Sequence, residues 1–269
     1  MNNRSETIRN IMVPIIAVLL GFILGGVIMA AFGYDPVNGY RQMFSTVFLN
    51  PQTKQINPRN IGEIFVTAGP LIFTALGFSV ANSAGFFNIG LSGQALCGWV
   101  ASIWVALSMP NAPKAVVVPA ALIVGALAGA AAAAVPGILR AFFGTSEVIV
   151  TIMMNYILLY TANHIVTHVM SKDLISNTGV SNRVGANGTL QTEFLRSISN
   201  NSRLNIGIFL AVAFLVLVWF LMKKTTLGYE IRAVGLNPDA SEYAGMSSKR
   251  TIIVSMIISG FLAGLGGVV

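Results

Sequence analysis

Charge is scarce in this sequence. Asp, Glu, Lys and Arg make up only 9% of its residues, against about 25% in a soluble globular domain. That excludes an ordinary soluble fold. The apolar runs lack period-two alternation, which argues against a β-barrel and for helices. The single cysteine, Cys97, excludes an intramolecular disulfide and a cysteine metal site; its small, apolar neighbours make it a packing residue. The two histidines, His164 and His168, are four apart with no third ligand nearby, so they read as interfacial residues near the outer boundary. There is no G-x-x-x-x-G-K-[ST], no G-x-S-x-G and no carboxylate pair, so the chain carries no motor or hydrolytic centre. The net charge of +7 sits at span ends and in loops, without interleaved aromatics. This points to membrane lipid and not to nucleic acid.

What remains is hydrophobic to 55%. At about 20 apolar residues per crossing, spans fall near 11–32, 62–82, 89–109, 115–137, 146–168, 205–222 and 251–269. The first run is too long for a signal-peptide core and reads as a retained span. The expected fold is therefore all-α: one polytopic transmembrane bundle of about seven spans over 1–269. The last span reaches Val269 without a polar flank, which predicts further spans in a longer chain. With the N-terminus cytoplasmic, the inner segments 1–10, 83–88, 138–145 and 223–250 hold eight Lys and Arg, and the outer segments hold the other eight. Basic residues are denser in 1–10 and 223–250 than in the long loops 33–61 and 169–204. Short, dense segments carry the positive-inside rule, so the N-terminus and 223–250 are placed inside. The loop 169–204 reads as irregular polar coil.

The stretch 223–250 is the most charged part of the chain, with five of the sixteen Lys and Arg and three of the nine acids. Within it Asn237 reads as a helix N-cap, Pro238 as the first helical residue, Asp239 as an acid on the positive dipole end, and Gly245 as the stop. A helix of about two turns is too short to stand alone in water. It needs a docking partner.

Small residues recur four apart at Gly21/Gly25, Gly125/Gly129/Ala133 and Gly260/Gly264, a spacing that lets helices approach closely in lipid. The run 82–94 contains Asn82, Asn88, Ser92 and Gln94 with three glycines between two apolar spans. It reads either as a tight hairpin or as a broken helix whose freed backbone lines a polar cavity. Glu147, Thr151 and Asn155 form one polar stripe on the fifth span. Such a stripe faces the bundle interior or a water path. Glu147 at its end can equally serve the helix dipole; Asn155, deeper, is the better pathway residue.

Three segments resemble a known family. The run 228–237 with Ala240 and Tyr243–Gly245 resembles the cytoplasmic coupling loop of ABC-importer permeases of the ribose and branched-chain amino acid type. Residues 87–94 resemble that branch's early motif and residues 144–155 its middle one. Together they look most similar to nucleoside-importing permeases that work with a basic-membrane-lipoprotein-type receptor. The resemblance implies coupling to a cytoplasmic ABC ATPase through Gly228, Glu230, Arg232, Gly235, Asn237, Asp239, Tyr243, Ala244 and Gly245. It also implies a substrate path drawing on Asn82, Asn88, Ser92, Gln94, Thr151 and Asn155. A second permease subunit, paralogous or identical, and an external lipid-anchored substrate-binding protein are implied as partners in a bacterial plasma membrane. The chain itself would bind no cofactor, with ATP used by the ATPase. A simple-sugar permease is the alternative within this class. An ion-coupled secondary transporter would need an intramembrane acid near mid-depth, and the one candidate, Glu147, lies near a span end.

Overall fold

The computed structural model describes residues 3–49, 55–170, 174–175 and 180–269, with side chains from residue 12 onward. The rest of the expected tail and outer loops, and the side chains of Arg4 and Arg9, lie outside the described residues. The chain divides into two compact units, Met1–Ile61 and Gly62–Val269.

In the first unit, α1 (Asn3–Ala31) turns into α2 (Pro36–Phe48). Gly33 takes a left-handed φ of +81°, and the amides of Gly33 and Tyr34 reach back to the carbonyls of Ala30 and Met29. This paired closure is a Schellman stop. The Asp35 carboxylate then accepts from the amides of Val37 and Asn38 at 2.9 and 3.2 Å, with Pro36 in the first turn. The loop expected over 33–61 is thus partly a helix, nucleated by an Asp-Pro cap. Tyr40 donates its hydroxyl to the Phe22 carbonyl at 2.6 Å and meets the Phe22 ring edge-on.

The second unit carries α3 (Pro58–Ser83) from Gly62 onward, α4 (Leu91–Ser108), α5 (Lys114–Phe143), α6 (Glu147–His164), α7 (Glu193–Ile198), α8 (Gly207–Lys224), α9 (Thr226–Leu236), α10 (Pro238–Tyr243) and α11 (Ser248–Val268). A π-helical turn, Ile165–Val169, extends α6. Among the described residues, seven helices are long and apolar enough to cross a membrane. They match the seven expected spans.

Glycine sets the core. A Cβ on Gly98 would collide with the Gly264 backbone, and one on Gly129 with the Gly260 carbonyl and the Gly264 backbone. The stripes at Gly125/Gly129 and Gly260/Gly264 therefore bring α5 and α11 together backbone to backbone, with α4 joining through Gly98. Beside this seam, Phe73 of α3 is fully buried and packs on Phe214 of α8, ring centroids 5.5 Å apart.

Two sets of connections gather at opposite ends of this unit. At one end Gly235 lies against Ser83–Gly85, and Lys249 lies over the Phe142 ring. At the other, Asn187 donates to the carbonyls of Met109, Pro110 and Ala112 at 2.9–3.1 Å, and Arg203 pairs with Glu63 at 2.8 Å. The hydrogen bonds Arg203 donates to the Glu63 carboxylate, together with that negative charge, raise the Arg203 pKa further. The coil expected over 169–204 contains a 3₁₀ turn, Ala186–Gly188, and α7. Thr192 caps α7, and Ser199 and Ser202 close on the buried Gly62.

Candidate functional site: a buried amide cluster and an exposed coupling helix

The α3–α4 connection is neither a plain hairpin nor an open cavity wall. Gly85, at φ +82°, ends α3 with the same Schellman closure: Gly85 N–H to Asn82 and Phe86 N–H to Ala81, both 3.0 Å. The chain then runs without helix to Gly90. At its centre Asn88 is 1% exposed. Its amide donates to Gln94 Oε1 at 3.1 Å and to Ser259 Oγ of α11 at 2.9 Å. Its oxygen accepts from the Gly90 amide at 2.9 Å and from Gln94 Nε2 at 3.3 Å. Asn88 and Gln94 are thus a reciprocal amide pair, and both are buried.

Asn155 fastens the turn from the other side. Its Oδ1 accepts from the Gly93 amide at 2.9 Å and its Nδ2 donates to the Ile89 carbonyl at 3.0 Å. The Gly93 amide is one of the donors a helix start leaves unpaired, and the Ile89 carbonyl belongs to the non-helical turn just before it. Thr151 is fully buried, donates to the Glu147 carbonyl at 2.7 Å, and lies beside Gly90. The structure therefore joins Asn88, Gln94, Thr151 and Asn155 around one irregular turn. Asn82 and Ser92 are exposed and stand apart from it. Ser259 was missed in the sequence, although Ser255 and Ser259 form a four-residue polar repeat within an apolar span.

Arg140 also escaped the sequence reading. It donates to the carbonyls of Gly144 and Thr145 at 3.3 and 3.1 Å, pairs with Glu147 at 3.5 Å, and lies over the Phe86 ring. One guanidinium thus ties the end of α5 and the start of α6 to the edge of the amide turn. Glu147 at the α6 start serves both the dipole and this ion pair.

The stretch 223–250 holds two helices where one was expected. In α9, the Thr225 hydroxyl accepts from the Gly228 amide at 3.2 Å, and Gly228 sits so close to Leu221 and Met222 that a Cβ would not fit. Ile231 and Val234 are buried, while Glu230 and Arg232 are half-buried. Gly235 rests on the Ser83–Gly85 backbone, so α9 abuts the turn that holds Asn88. The Asn237 side chain accepts from the Ala240 amide at 3.0 Å, with Pro238 and Asp239 in the first turn of α10. Gly245, at φ +83°, follows Ala244 and closes α10 through Gly245 N–H to Glu242 and Met246 N–H to Ser241. The capping expected at Asn237 and the stop expected at Gly245 are both present. Ser248 Oγ donates to the Pro238 carbonyl at 2.8 Å and ties α10 to α11. Leu236 is 89% and Tyr243 96% exposed, two large side chains with almost no packing inside the chain.

Residues 60–269 match the family model for the permease component of branched-chain amino acid transport systems. The chain belongs to this permease family. The permease is 48% identical over 271 residues to the nucleoside ABC transporter permease protein NupB of Lactococcus lactis subsp. cremoris, an alignment covering all of this chain and 72% of that protein. It is 40% identical over 262 residues to the guanosine ABC transporter permease protein NupP of Bacillus subtilis, covering 97% of this chain and 72% of the relative. It is also 31% identical over 263 residues to the glucose ABC transporter permease protein TsgB13 of Haloferax volcanii, covering 95% and 66%. No solved structure matches. The permease is a multi-pass protein of the cell membrane and a transport subunit, not an enzyme; ABC permeases work with an ATPase and with another permease chain.

Proposed function

We propose that this chain is the permease subunit of an ATP-driven importer of nucleosides. The observation that carries the coupling half of the reading is the pairing of Gly235 with Ser83–Gly85. It joins α9, which leads into the exposed, well-capped α10, to the turn that holds the buried Asn88. Closure of a cytoplasmic ATPase presses on α10 through Tyr243, Ala244 and Asp239. The capped ends of α10 keep it from fraying under that load, and α9 passes the displacement to the α3–α4 turn. ATP is bound by the partner, and no cofactor is held by this chain.

Asn88, Gln94, Thr151 and Asn155 hold the turn in shape, while the exposed Asn82 and Ser92 carry the solute-facing role. These neutral hydrogen-bonding groups suit a neutral, polar solute that must be released as readily as it is admitted. The nucleoside class rests on the two relatives named for nucleoside and guanosine transport; the glucose-permease relative makes a simple sugar the competing cargo. A lipid-anchored external receptor delivers the solute, and the N-terminus and 223–250 face the cytoplasm.

The test is uptake of labelled guanosine, uridine and ribose by cells carrying the complete transporter, against a strain lacking this chain. Nucleoside uptake that depends on the chain is the expected result. Chain-dependent ribose uptake without nucleoside uptake would overturn the cargo.

A further inference from the structure

A cleft of about 320 Å³ opens where α3, α8 and α9 meet. Its walls are Leu76, Leu215 and Trp219, and its polar lining includes Ser79, Lys223 and Arg232. Lys223 lies in the last turn of α8 and Arg232 in the half-buried flank of α9. Among the described residues the ion pairs are Arg140–Glu147 and Arg203–Glu63. Neither cation of the cleft has an acidic partner.

A lysine at the end of a membrane span needs no special account, since it snorkels to the interface and complements the helix dipole. Snorkelling does not explain why a second cation, from a different helix, lines the same cleft. Nor does it explain the apolar wall below them. Trp219, 54% exposed on that wall, has the amphipathic ring favoured at the membrane–water boundary.

We propose that this cleft is a specific site for an anionic phospholipid. The phosphate sits between Lys223 and Arg232, Ser79 supplies a hydroxyl donor, and one acyl chain descends along Leu76, Leu215 and Trp219. The wall chooses a lipid over free phosphate, because a bare anion would leave that apolar surface uncovered. The two unpaired cations choose an anionic over a zwitterionic head group, at roughly fivefold in affinity per cation near a membrane surface. The bound lipid wedges α8 against α9, immediately beside the Gly235 contact. This inference requires a membrane-spanning chain and holds whatever solute is carried.

The experiment uses the complete transporter in bilayer discs doped with photoactivatable phosphatidylglycerol or, separately, photoactivatable phosphatidylcholine. After illumination, labelled peptides of this chain are mapped by mass spectrometry. Phosphatidylglycerol should label the peptides carrying Leu76–Ser79 and Leu215–Arg232 at least several-fold more than phosphatidylcholine. The combined K223Q and R232Q substitutions should erase the difference, and K223R with R232K should keep it. If the double variant does not assemble, K223Q alone should reduce the preference about fivefold. Equal labelling by both lipids would reduce the cleft to ordinary annular contact and overturn the site. Absence of labelling by either would mean that protein covers the cleft, and would overturn it equally.

Discussion

Gly85 and Gly235 face each other with no side chain between them. A Cβ on Gly85 would lie 3.4 Å from the Gly235 Cα, and a Cβ on Gly235 would overlap the Ser83 carbonyl oxygen. The backbone of α9 therefore bears directly on the last turn of α3. Below that turn lies Phe86, under Arg140, and then the buried Asn88. A push on one helix reaches the other without passing through a rotatable bond.

Gly235→Val should separate α9 from α3. Forcing extra carbons into a packed contact costs about 1–3 kcal/mol. The expected outcome is a lower melting temperature of the purified complex and uptake reduced tenfold or more, with the chain still inserted in the membrane. Normal uptake by Gly235→Val would show that this contact transmits nothing.

Asn155→Leu keeps side-chain size but strands the Gly93 amide and the Ile89 carbonyl. A buried polar group left without its partner costs about 1–3 kcal/mol. The geometry predicts that stability and uptake fall together, read as melting temperature and initial uptake rate. Loss of uptake with unchanged melting would assign Asn155 to the solute path instead of to the fastening of the turn.

Tyr243→Ala and Gly245→Val probe the same helix in different ways. Tyr243 is almost fully exposed, so its removal should change the stability of the chain by no more than about 0.5 kcal/mol. Co-purification of the ATPase should nevertheless drop. At Gly245 a Cβ would meet nothing within 4 Å, but φ is +83°, where a β-branched residue is strained by about 1–2 kcal/mol. That variant should loosen α10 and lower uptake. Full ATPase retention by Tyr243→Ala would remove α10 from the coupling surface.

Topology is tested best at exposed positions whose side chains hold nothing together. In a Cys97→Ala background, Thr226→Cys should react with an impermeant thiol reagent only after permeabilisation, and Ala186→Cys should react in intact cells. Neighbouring Asn187 is unsuitable, because its amide clamps the 109–112 turn. The reverse pattern would invert the orientation inferred from basic density.

The spans were legible because hydropathy over twenty residues is a bulk signal. The ends of α10 were legible because capping is local: Asn237, Pro238 and Gly245 each act within a few residues of themselves. α9 was not legible. Gly228 and Gly235 depress helix propensity, and the helix owes its place to burial of Ile231 and Val234 against distant segments. The Asn88–Gln94 pair lies within six residues, yet its meaning depends on Ser259, 171 positions away. Polar residues near 82–94 could be recognised as important; whether they face a solute or each other is decided by tertiary packing. Asn155 shows the same limit, since a stripe on a helix gives a direction and not a partner.

The seam of α4, α5 and α11 is built from peptide planes, with Gly98, Gly129, Gly260 and Gly264 in direct opposition. At these four positions no side chain can change rotamer to absorb a displacement, so the three helices shift as a single keel. Alternating access must then be worked by the planking around it, such as α8, which meets α3 through the Phe73 and Phe214 rings. An inhibitor wedged between keel and planking would arrest the transporter without touching the solute or the nucleotide.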